Sequence, residues 1–145
     1  MVERRCTVLY TLHHPSLFSM NILKIVMRVL LGVVLLLPIL GALGVFPAPT
    51  ADLYPPQAWA FMKALMDTGY IMPLIGVLCF VCLVLDIMGK TALAAILLTP
   101  FTANVILFHI FLDSTPIGAL VPATLLLILN LFFLWTERRK YRELW

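Results

Sequence analysis

The sequence predicts an all-α membrane protein, a bundle of four transmembrane helices with a short amphipathic outer helix between spans 1 and 2. Three observations carry this. The 145 residues are 63% hydrophobic and only 12% charged, with a mean hydropathy of +1.07, whereas a soluble domain is about half apolar and a quarter charged. The charges are clustered and leave four long apolar runs, each with about the 20 residues that cross a ~30 Å hydrocarbon layer. Those runs lack the period-two polarity of membrane strands, so their backbones satisfy their own hydrogen bonds as helices.

Residues 1–19, "MVERRCTVLYTLHHPSLFS", have no apolar signal-peptide core and no cleavage site. They read as a poorly ordered leader, or as a stretch upstream of the natural start, because Met20 opens "MNILKIVMRVLLG" as a first residue would. Cys6 in this leader implies no disulfide framework. His13 and His14 are adjacent, point apart on a helix and have no third ligand nearby, so no metal site is expected. The first span is residues 22–46. After it, "FPAPTADLYPPQ" is broken by prolines. Then "PQAWAFMKALMDTGY" starts with a proline in its first turn and sets Trp59, Met62 and Met66 on one stripe, with Lys63 and Asp67 off it. This predicts an amphipathic helix closed by Gly69, lying on the outer interface or capping the bundle. It shields the spans or lids a pocket. The remaining spans are residues 70–88, 91–112 and 117–135. Residues 20–137 form a single transmembrane domain and 138–145 a basic cytoplasmic tail, with Trp135 and Trp145 as interfacial aromatics.

Orientation follows from the basic residues. Arg4, Arg5, Lys24, Arg28, Lys90, Arg138, Arg139, Lys140 and Arg142 fall on one side, nine of the ten Lys and Arg, leaving only Lys63. The positive-inside rule then puts both termini in the cytoplasm.

Polar residues inside a membrane normally face protein rather than lipid. In "NVILFHIFLD", Asp113 follows His109 by four and shares its helix face. Asn104 lies about 140° around the helix from His109. Pro100, one turn earlier, can bend the helix, and Thr99 or Thr102 can bond the freed carbonyls. Tyr70, Asn104, His109 and Asp113 are therefore a candidate outer polar cluster, serving either a ligand or interhelical bonding. In the second span, Cys79, Cys82 and Asp86 recur at i, i+3 and i+7, a candidate bundle-interior stripe ending within reach of Lys90 or Arg28. Cys79 and Cys82 have C-x-x-C redox spacing, but a thiolate is disfavoured mid-helix in hydrocarbon, and a buried thiol packs as a small apolar group.

"NILKIVMRVLLGV", "FMKALMDTGYIMPLIGV" and "LLTPFTANVILFHIFLD", with the basic tail, resemble the DoxX family of small four-helix membrane proteins over residues 20–142. The most specific parts are "FM.AL..TGY..PL" and "N....FH.FLD"; Tyr70, Pro73, Asn104, His109 and Asp113 coincide with the recurrent pattern. The resemblance implies a multi-pass protein of a bacterial-type cytoplasmic membrane, associated with quinone-linked oxidoreductase systems. The chain departs from the pattern at Cys79, where such proteins often carry Glu, and at "LPILGALGVF", which replaces a polar, glycine-rich end. By depth, Cys79 and Asn104 lie opposite each other.

The expected function is that of an accessory subunit of a quinone-linked membrane oxidoreductase system, not a stand-alone enzyme. Quinone is the candidate cofactor, with His109 or Tyr70 bonding a quinone oxygen and Asp113 orienting the imidazole. Membrane lipid, oxidoreductase subunits and a second copy of the chain are the candidate partners. The alternative is a non-catalytic membrane protein that binds a partner or lipid. A small-solute carrier acting as an oligomer is a further alternative, although the chain shows no internal repeat or broken-helix pair. No nucleotide loop or metal cluster is present in the sequence, and the positive charge faces the membrane rather than nucleic acid.

Overall fold

The computed structural model describes residues 15–113 and 120–142. Outside the described residues lie residues 1–14 of the leader (with Arg4, Arg5, Cys6, His13 and His14), the expected outer loop and first residues of span 4, and the tail end with Trp145. The elements in chain order are α1 (Pro15–Ala42), a 3-10 turn (Ala51–Leu53), α2 (Pro56–Asp67), α3 (Ile71–Ile87), α4 (Thr91–Phe111), α5 (Leu120–Thr136) and α6 (Arg138–Arg142). The described residues contain no strand.

Helix α1 reaches back to Pro15, so residues 15–19, expected in a poorly ordered leader, are helical. It also stops at Ala42, short of the predicted Phe46. Gly44 takes φ +71°, while the Gly44 and Val45 amides donate to the Gly41 and Leu40 carbonyls at 3.0 Å each. This is a Schellman cap, which closes a helix by bonding its last carbonyls. Helix α3 ends the same way. Gly89 has φ +78°, its amide donates to the Asp86 carbonyl at 2.9 Å, and the Lys90 amide donates to Leu85 at 2.8 Å. That three-residue turn reverses the chain directly into α4.

Two helices are long and apolar enough to cross a membrane: Met20–Ala42, with 23 residues, and Thr91–Phe111, with 21. Helices α2 and α3 make a third such unit only if taken together, and they are bent by 85°. Four spans were expected and two to three are established by length. The reasons are local. The glycine turns at Gly69 and Gly89 hold α3 to 17 residues, and the predicted start of the fourth span lies outside the described residues. The described part of α5 is apolar but shorter.

Helix α1 packs on α3, α3 on α4, α4 on α5, and α5 returns to α1, which makes a four-helix bundle. Each helix contributes a stripe at helical spacing. On α3 it is Gly76, Cys79, Cys82 and Asp86, and on α4 it is Thr91, Ala94, Ala95, Leu98 and Thr102. On α5 it is Ala123, Leu126, Leu129, Asn130 and Phe133, completed by Leu31 and Leu35 from α1. Small residues bring the backbones close. A Cβ built on Gly76 would lie 2.4 Å from the Ala42 Cβ, so α1 and α3 meet there with no room for a side chain.

The outside of the bundle is apolar. Ile25, Val29, Val33, Leu74, Val77 and Ile110 are each more than half exposed. Exposed apolar surface on this scale suits hydrocarbon rather than water.

Candidate functional site

Polar groups gather at three levels: a basic end, the interior of the α4–α5 pair, and the opposite end.

At the basic end, Asp86 is buried on the last turn of α3. Arg28 Nε donates to its Oδ1 at 3.1 Å, and Arg28 Nη2 donates to the Asp86 carbonyl. Thr91 Oγ1 donates to the same Oδ1 at 2.9 Å. The guanidinium thus meets both a carboxylate and the negative end of a helix dipole. Of the two cations the sequence offered, Arg28 makes the pair, and Lys90 is exposed.

A second cluster closes α5 against α1. Lys24 Nζ donates to Glu137 Oε1 at 3.2 Å, and Lys140 Nζ lies 2.7 Å from Glu137 Oε2. Tyr141 reaches back from α6 and donates to the Ala92 carbonyl at 3.2 Å. The Arg138 guanidinium sits 4.4 Å from the Trp135 ring centroid. Burial raises the Tyr141 phenol above its ordinary value, and the Glu137 charge adds to that. Burial alone would also raise the Glu137 carboxyl, but Lys140 and Lys24 outweigh it and hold it below the ordinary 4.5.

A carboxyl depressed in the folded state stabilises above its unfolded value and loses that contribution as pH falls through the folded one. The cluster should therefore weaken as pH drops below 4.5. Its lysines are partly exposed, which limits the effect to roughly 1 kcal/mol. Detergent melts of wild type and Glu137→Gln should differ by about that much at neutral pH and converge in acid. A gap that persists in acid would contradict the assignment.

In the interior, Asn130 ties α5 to α4. Its Nδ2 donates to Thr102 Oγ1 at 3.2 Å and to the Ala95 carbonyl at 3.3 Å. Thr99 Oγ1 lies 2.9 Å from the Ala95 carbonyl and 3.4 Å from Asn130 Oδ1. Pro100 removes the amide that would have bonded the Ile96 carbonyl, but neither threonine bonds that group; Thr99 bonds Ala95 and Thr102 receives Asn130. Cys79 and Cys82 are free thiols buried in the core beside this level.

At the opposite end, His109 Nδ1 lies 3.0 Å from Asp113 Oδ2, and both side chains are largely buried. Phe108 stands beside His109 with ring centroids 5.3 Å apart. Phe61 of α2 and Tyr54, just before α2, reach Phe108 with centroids at 5.7 and 6.3 Å. Helix α2 buries Ala58, half-buries Trp59, Met62 and Met66, and exposes Lys63 and Asp67, as its stripe predicts. The right-angle bend into α3 and these aromatic contacts lay α2 across this end of the bundle.

The expected outer cluster is only partly assembled. His109 and Asp113 meet. Tyr70 is 64% exposed, and Asn104 is exposed on the outside of α4. Helix register explains the difference. Thr102 and His109, seven residues apart, share the buried face, whereas Asn104 is about 200° from Thr102. Asn104 therefore does not face the buried Cys79. Sequence reasoning missed Asn130, Glu137 and Tyr141. The signal for Asn130 was its place in the 3–4 spacing of Ala123, Leu126, Phe133 and Glu137. Among the described residues, no group of three or more His, Cys, Asp or Glu side chains could hold a metal ion. No protein-family model, curated protein or solved structure matches this chain.

Proposed function

We propose that this chain is a four-span integral protein of a bacterial-type cytoplasmic membrane, with both termini in the cytoplasm, serving as an accessory subunit of a quinone-linked oxidoreductase system. The resemblance of "FM.AL..TGY..PL" and "N....FH.FLD" to the DoxX pattern supports this reading. So does the gathering of Lys24, Arg28 and Lys140 at the end of the bundle away from His109.

The observation that carries the functional part is the His109–Asp113 pair beneath Tyr54, Phe61 and Phe108. A carboxylate at Nδ1 holds the proton on that nitrogen and leaves Nε2 with a lone pair. Nε2 then accepts a hydrogen bond from a hydroxyl, and on protonation becomes a donor to a carbonyl. Both partners occur in the quinol–quinone couple, whose bound headgroup would supply two-electron redox chemistry. Asp113 orients the imidazole, and the aromatic side chains suit a flat ring.

Loss of this contact is worth roughly one hydrogen bond, so His109→Ala should weaken quinone retention by about five- to tenfold and slow quinone-linked electron transfer in native membranes. Unchanged quinone retention and electron transfer would end this reading.

A second reading, a non-catalytic membrane protein that binds a partner or lipid, is favoured by the Asp86 and Asn130 networks, whose polar atoms already hold helices together. Gentle-detergent purification with mass spectrometry separates the two. Stoichiometric quinone or oxidoreductase subunits support the first; bulk lipid alone supports the second.

A further inference from the structure

We propose that two copies of this chain pair in the membrane along the outer face of α4, with Asn104 of one copy hydrogen-bonded to the same residue of the other. The inference rests on the membrane-spanning reading and on no part of the quinone reading.

Asn104 lies seven residues before the end of α4 at Phe111, about 10 Å inside the apolar span at the helical rise. Its side chain is exposed on the outside of the bundle and makes no hydrogen bond among the described residues. A primary amide left facing hydrocarbon costs on the order of several kcal/mol, and its short side chain cannot carry it to the interface. The contrast with Asn130 is direct. That amide, whose partners lie further from the Phe111 end of α4, bonds Thr102, Ala95 and Thr99. The fold answers one amide internally and leaves the other for a neighbour.

A second copy fits Asn104 for two reasons. A primary amide both donates and accepts, so two of them bond reciprocally, as a single buried Asn does in fixing coiled-coil register. A two-fold axis along the membrane normal also brings each residue opposite itself at equal depth, which makes such an interface self-complementary. The surrounding face allows close approach. Pro100 and Ala103 flank Asn104 and are exposed, with Ile96 and Leu107 continuing the face above and below. None of these residues belongs to the buried stripe of Thr91, Ala94, Ala95, Leu98 and Thr102, so pairing leaves the bundle undisturbed.

The test is subunit counting by single-molecule photobleaching in phosphatidylcholine–phosphatidylglycerol vesicles at dilute protein-to-lipid ratios. Wild type should bleach mostly in two steps. Asn104→Leu should weaken association by roughly tenfold or more, while Asn104→Gln, which keeps a reciprocal amide, should retain it. In detergent at concentrations that keep both proteins monomeric, the Leu variant should melt as wild type does, because Asn104 bonds nothing within its own chain. Monomeric wild type, or a Leu variant that pairs as wild type does, overturns the proposal. Alkaline carbonate extraction of native membranes distinguishes the failures. Protein retained in the membrane but monomeric defeats the pairing alone; protein released by carbonate defeats the membrane reading as well.

Discussion

Replacing Asp86 with Ala should destabilise the bundle by about 2–3 kcal/mol. The carboxylate accepts from Arg28 and Thr91 at once, and its removal leaves a guanidinium facing the carbonyl end of α3 with no counter-charge. Breaking a fully buried pair costs about 3–5 kcal/mol; here the Arg28 side chain is 35% exposed and can swing its head toward water, which lowers the figure. The double change Arg28→Met with Asp86→Leu should recover most of the loss, because a well-packed apolar pair replaces an ion pair at little cost. Thermal melts in detergent and unfolding by denaturing detergent would measure both. Two equally unstable variants would mean that the site needs the charges themselves, and a single variant as stable as wild type would remove Arg28–Asp86 from the stabilising set.

Asn130→Leu should lower stability by about 1–2 kcal/mol and loosen α5 from α4. Three contacts depend on this side chain, yet interhelical hydrogen bonds in membranes average only about 0.6 kcal/mol each. Thr102, buried on the facing stripe, would lose its donor and turn to a carbonyl one turn back on its own helix, which tempers the cost. Amide exchange at the α4–α5 contact should rise relative to α1–α3. Uniform exchange across the four helices would argue that Asn130 is incidental. The contrast with Asn104→Leu is the sharper check, since the same substitution on the other face of α4 should leave the monomer's stability unchanged.

These two asparagines show how far the sequence could be read. Composition and run length gave helices and an apolar exterior, because those depend only on the amount of hydrocarbon and its continuity. The four-residue spacing gave the His109–Asp113 contact, because both groups belong to one helix and rise and twist fix their separation. The stripe of Cys79, Cys82 and Asp86 was legible for the same reason. What could not be read was rotation about each helix axis relative to its neighbours. Asn104 was expected inside because buried polarity is the rule, but the inward face of α4 is the one that buries its small residues Ala94 and Ala95 in the core. Asn130 was passed over inside "LLLILNLFF", where only its register with Leu126 and Phe133 marks it as inward. The networks of Glu137 and Tyr141 join residues 113 and 49 positions apart, and no local pattern encodes such separations. Glycine turns at Gly69 and Gly89 trim α3 below the length that hydropathy alone suggests, so length establishes two to three of the four expected spans.

The tight turn at Gly89 bears on how the chain is made. Synthesis delivers α1 first, and Arg28 precedes its carboxylate by 58 residues. When α3 and α4 emerge, they are joined by a turn whose amides are already bonded, and Thr91 of the second helix covers Asp86 of the first within the same hairpin. Asp86 thus has one partner within its own hairpin, Thr91, and takes its cation from a helix made earlier. If α3 and α4 both span, the hairpin rather than the single helix should be the unit that inserts, which glycosylation-site mapping of truncated chains during translation would check.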